Sequence, residues 1–150
     1  MRYQHVLVPT DGSEISARAM HAAIELAKCT KGVIYALAVN EPLECYPGSY
    51  DGIEGTIPYW PQEFQEAAER ISAWRVAFIL AAAAEAGVDC KTVVVTDGNV
   101  SEAILDAATE HGIDTIVMAS HGRRGLSALL LGSVTNRVVT KSSVPVLVVK

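Results

Sequence analysis

The sequence predicts an α/β domain, an open parallel sheet of five strands with helices on both faces. Three observations predict it. Five short β-rich runs alternate with four segments of helical spacing, the βαβαβαβαβ order of a parallel sheet. The first run ends in consecutive apolar residues, His5-Val6-Leu7-Val8, as in a strand covered on both sides. The chain has 150 residues, 50% of them apolar, which suits one domain with a core of its own. Neither a repeat nor a low-complexity tract divides it, so residues 1–150 read as a single domain.

The elements follow in order. Tyr3 to Pro9 is the first strand. Asp11-Gly12-Ser13 is a turn with two candidate helix caps, and Glu14 sits in the first helical turn. Ile15, Ala19, Ala22, Ala23 and Leu26 recur at helical spacing until Gly32 closes the segment, and Val33 to Val39 is the second strand. Glu41 to Pro61 holds four of the six prolines and four aromatics, too broken for an element, and reads as a surface loop. A long helix over Gln62 to Ala86 starts after Pro61 and ends at Gly87. Phe64, Ala68, Ile71, Arg75, Phe78 and Ala82 mark its expected stripe. Val88 to Thr96 is the third strand, and Ser101 is expected to cap a helix that runs to His111. Ile113 to Ala119 is the fourth strand. Gly132-Ser133 opens the last helix, to about Lys141, and Val144 to Val149 is the fifth strand.

Charge and cysteine content narrow the function. A net charge of −5 argues against a surface built for nucleic acid or for anionic membranes. The balance is uneven, because Ser120 to Lys150 holds five cations (Arg123, Arg124, Arg137, Lys141 and Lys150) and no acid. The longest purely apolar run, Val76 to Ala84, is far short of a membrane span, and MRYQHVLVPTDGSE is no signal peptide. Cys29, Cys45 and Cys90 are widely spaced, which suits a reducing compartment. A cytoplasmic protein is expected.

Open sheets of this kind take ligands beyond the carboxyl ends of their strands, where the strand order reverses. The residues placed there are Thr10 and Asp11, Val39 to Glu41, Asp97-Gly98, and Ser120-His121-Gly122-Arg123-Arg124-Gly125. In the last stretch Gly122 and Gly125 leave the backbone open to a ligand, and Gly132-Ser133 stands at a helix start, where unpaired amides attract phosphate. The two arginines can screen the phosphates from outside. The plainer reading of the same residues is a turn followed by a cap. Asp11 has two compatible readings, a ribose-binding carboxylate and a helix cap.

HVLVPTDGSE, LAVNEP and SHGRRGLSALLLGSVTNRVV…VPVLVV together resemble the UspA superfamily of universal stress proteins, over essentially the whole chain. The family's nucleotide signature is Gly, two residues, Gly, nine residues, then Gly-Ser or Gly-Thr. Gly122, Gly132 and Ser133 match it, and the first glycine falls on Ala119, a departure that adds one methyl group. The resemblance implies a Rossmann-like adenine-nucleotide hydrolase-like fold with strand order 3-2-1-4-5 and ATP as ligand, with Mg or Mn carried on the phosphates. It implies that Pro9, Thr10 and Asp11 border the adenosine and that Val39 touches adenine. By the same resemblance Gly122, Gly132, Ser133 and Val134 hold the phosphates, with Ala119 at the first glycine position of the signature, while Arg123 is placed beside them by its charge. It further implies a homodimer paired through the last strand, within residues 144–149, which agrees with an apolar strand at a sheet edge.

Rival readings are weaker. Met118-Ala119-Ser120-His121-Gly122 lacks the first glycine of a nucleophile elbow, and no later acid or histidine completes a triad. Asp97 and Lys150 suggest a phosphate receiver, but only Asp11 follows the first strand, where that chemistry needs clustered acids. The four histidines form no paired metal-ligand motif. Nothing stands out as a general base, so slow hydrolysis is the most that is expected. The reading is an ATP-binding stress-response module. Its alternative is a nucleotide-free dimer that binds a protein partner.

Overall fold

The structure is a computed structural model that describes residues 3–41, 62–122 and 131–150. The proline-rich stretch after Glu41 lies outside these residues, as do Arg123, Arg124 and Gly125. The elements are β1 (His5–Pro9), α1 (Glu14–Thr30), β2 (Val33–Asn40), α2 (Gln62–Glu85), β3 (Asp89–Thr96), α3 (Val100–Glu110), β4 (Thr115–Ala119), α4 (Ser133–Lys141) and β5 (Val146–Val149). All pairings are parallel and the order is β3-β2-β1-β4-β5, as expected.

The sheet separates two apolar layers. Val6 and Val8 of β1 and Ile34, Ala36 and Ala38 of β2 point to one face, where Met20 and Ala23 of α1 and Val76, Ile79 and Ala83 of α2 cover them. The alternate residues Leu7, Tyr35, Leu37, Ile116 and Met118 point to the other face, against Ile104 and Ala107 of α3 and Val138 of α4. The period of two along each strand thus feeds both layers, which is why these strands are apolar on successive residues.

Several local expectations need correction. Ser13 alone caps α1, accepting from Ser16 N at 3.3 Å, while Asp11 Oδ1 accepts from Ser13 N at 3.0 Å in the turn before it. The residue in left-handed conformation at the end of α1 is Lys31 (φ 55°), not Gly32. Gly32 is needed for a different reason: a Cβ there would lie 2.7 Å from the Gln4 carbonyl oxygen, where β2 enters beside β1. Asn99 caps α3, and Ser101 is a buried residue of its first turn, bonded to Asn99 Oδ1 at 2.8 Å.

The stripe expected on α2 also differs. Ser72, Val76, Ile79 and Ala83 face the sheet, whereas Ile71 and Phe78 are exposed. A helix that is apolar nearly all round carries no clear sequence signal for which face turns inward.

Candidate functional site

The β1–β4 ladder pairs only Val6 with Thr115 and Leu7 with Ile116, while β4 continues to Ala119. Beyond those pairs the two strands part, and this is the point where the strand order reverses. A cleft of about 420 Å³ opens there.

On the β1 side, Thr10 N donates to Leu37 O at 2.9 Å, so the chain leaves the sheet still tied to β2. Gly12 N donates to Thr10 Oγ1 at 3.1 Å, and Thr10 Oγ1 lies 3.1 Å from Ser16 Oγ. Gly12 itself has φ 77°, a left-handed turn that glycine accepts without strain. These bonds hold the Asp11 carboxylate at the mouth. Its Oδ2 lies 2.7 Å from where a Cβ on Gly122 would stand.

On the β4 side, Ser120 N donates to Val149 O at 2.7 Å, Gly132 N to Ser120 O at 2.8 Å, and Thr135 Oγ1 to Ala119 O at 2.9 Å. These bonds bring the two flanks of the segment 123–130 together, and they seat the start of α4 against the end of β4. The approach is close, since a Cβ on Gly132 would meet His121 Cα at 3.1 Å. Gly132 is the N-cap of α4 and brings no capping side chain, and the first turn carries no acid. The first-turn amides of α4 therefore keep their positive end without an acceptor from a cap. Ser133 is the first helical residue rather than the cap.

Pro9, Thr10, Asp11, Val39, Ala119, Gly122, Gly132, Ser133 and Val134 all line this one cleft. Arg123 lies outside the described residues. Sequence reasoning missed the apolar wall of Leu37, Val100, Ile104 and Met118, and the polar contributions of Ser16 and Arg75. Arg75 comes from α2, whose buried side differs from the stripe that the spacing predicts. A second hollow of about 460 Å³ adjoins across His121 and Gly122, next to Arg18, Glu14 and Lys150. Its surroundings lack the paired apolar walls of the cleft.

Ser120 is buried, with its Oγ 3.0 Å from His121 Nδ1. Among the described residues the next helix is α4, at Ser133, and Met118 fills the first glycine position that a nucleophile elbow needs. Among the described residues no three His, Cys, Asp or Glu side chains gather as a metal site.

The model of the universal stress protein family matches residues 2–150. The chain belongs to the universal stress protein family. Universal stress protein YxiE of Bacillus subtilis is 32% identical over 148 residues, 99% of each chain. Among solved structures, MJ0577 of Methanocaldococcus jannaschii superposes with a TM-score of 0.82 at 29% identity, covering 100% of this chain and 97% of that one. A universal stress protein in complex with cAMP superposes with a TM-score of 0.64 at 25% identity, covering 99% of this chain and 97% of that one. These likenesses agree with the strand order and with the family that the glycine spacing suggests.

Proposed function

We propose that this universal stress protein binds an adenine nucleotide, ATP foremost, in the cleft between β1 and β4. The observation that carries the reading is the start of α4. Its uncapped first turn closes the same cleft whose other walls are Val39, Val100, Ile104 and Met118. Amide donors at one end and apolar walls at the other match a phosphate chain and a purine. The cAMP complex of a similar protein supports the adenine part.

In this reading Val39 meets adenine, Pro9 and Thr10 border the adenosine, and Asp11 binds the ribose. Gly122, Gly132, Ser133 and Val134 hold the phosphates, Ala119 backs them, and Arg123 screens them. A Mg or Mn ion would ride on the phosphates rather than in a protein cage. The chain acts as one cytoplasmic signalling domain, with slow hydrolysis at most. It pairs as a homodimer through residues 144–149, a reading supported by the position of β5 at the sheet edge and by exposed Leu147.

Mass spectrometry of ligand released from undialysed protein, with calorimetry on the nucleotide-free form, tests the nucleotide. Binding of ATP by the native chain or by Ala119→Gly supports it. No binding by either form at millimolar concentration would end it and leave the partner-binding dimer. Light scattering tests the pairing: a monomer mass at micromolar concentration counts against it.

A further inference from the structure

Between Ile71 and Ala84 every exposed position of α2 is apolar. Trp74 is 67% exposed, Phe78 54% and Ile71 51%, with the Trp74 and Phe78 rings 6.4 Å apart. These residues lie opposite the buried stripe of Ser72, Val76, Ile79 and Ala83, so the sheet cannot cover them. Four helical turns of apolar surface exceed the single exposed residues that need no explanation.

We propose that this face is a self-pairing surface, on which a second copy of the chain lays its α2 antiparallel to the first. The spacing specifies the register. A two-fold axis between Ala77 and Phe78 sets Phe78 against Ala77, Trp74 against Ala81, and Ile71 against Ala84. Each large side chain then meets an alanine of the partner, which lets the helix axes approach to about 8–10 Å. The same axis sets Arg70 against Glu85 twice, at the two ends of the contact, and both residues are exposed. A surface in which large meets small and cation meets anion about one axis fits a copy of itself. The apolar area is roughly 500 Å² per copy, judged from side-chain sizes. With both copies that reaches about 1,000 Å², the lower bound for a specific interface. The face is separate from the cleft and from β5, so it adds a contact to the strand-edge pairing proposed above.

Sedimentation velocity from about 1 to 100 µM tests the proposal. Trp74→Glu should weaken self-association by about 30-fold or more, the loss typical of a buried aromatic anchor. The weight-average mass at a given concentration should fall toward that of the β5-paired dimer. Pairing through β5 persists in that variant, so the two contacts are read separately. Arg70→Glu and Glu85→Arg should each weaken association by about 3–10-fold, and the double exchange should restore it. Circular dichroism and urea midpoints check that these surface variants fold. Association of Trp74→Glu equal to the native chain would overturn the proposal. So would a double exchange that recovers nothing, or a native chain that is monomeric at 100 µM. Any of these results would hold if the face served a different protein.

Discussion

Gly122 has no side chain because the Asp11 carboxylate stands 2.7 Å from where its Cβ would be. Gly122→Val should therefore displace Asp11 as well as crowd the phosphates, and calorimetry should show a larger loss of ATP affinity than for Ser133→Ala or Asp11→Ala. Ser133→Ala should weaken ATP by about 10–150-fold, the cost of one hydrogen bond to a charged group, and leave adenosine nearly unchanged. Asp11→Ala should weaken both, because the ribose is common to them. Equal losses for ATP and adenosine in Ser133→Ala would place the phosphates elsewhere. Cysteine reactivity is a separate residue-scale matter. Burial pushes the Cys90 thiol up, partly offset by a hydrogen bond with the Ala36 backbone, while Cys29 is exposed. The thiolate is the reactive form, so near neutral pH Cys90 stays protonated and should alkylate more slowly than Cys29 by peptide mass spectrometry.

At the scale of the element, α2 shows how little helical spacing says when nearly every side of a helix is apolar. Ile79 is 1% exposed and belongs to the apolar layer between α2 and the sheet, whereas Ile71 projects outward. Ile79→Ala should cost about 2–5 kcal/mol in urea unfolding. Ile71→Ala should stay within about 0.5 kcal/mol in the monomer. The reverse result would mean that the helix faces the sheet with its other side. The caps carry a similar lesson. Ser13 and Asn99 hold the starts of α1 and α3 through side-chain acceptors. Gly132 brings no such acceptor, and the start of α4 opens onto the cleft. A missing cap costs about 1 kcal/mol where nothing replaces it, and a bound anion replaces it.

For the whole molecule, binding in the cleft should couple to stability, because the cleft joins β1, β2, β4 and all four described helices. Those elements separate on unfolding, so ATP at 100 times its dissociation constant should stabilise the fold by about 2.7 kcal/mol. For a chain of this size that is a rise in Tm of about 5–10 °C, measurable by calorimetry. No rise with ATP, in protein first freed of nucleotide, would contradict the site. The two sheet edges differ in kind. The β5 edge ends a short strand, and the longer β3 edge lies beside the helix with the exposed apolar face.

The alternation of β-rich and helical segments was enough to determine the parallel sheet. Each strand needs a crossover to run parallel to its neighbour, and a crossover is visible as a helix-length segment. The spacing of Gly122, Gly132 and Ser133 likewise marked the mouth of the cleft, because close approach and helix starts demand particular residue types. The tertiary structure alone decided what else surrounds that mouth. Arg75, Val100 and Ile104 come from segments distant in sequence from the glycine-bearing loop, and no local pattern distinguishes them, or their nearer neighbours Ser16 and Met118, from ordinary helix and strand residues. It also decided which side of α2 is buried, since burial belongs to the assembled layers and an apolar helix offers them several faces at nearly equal free energy.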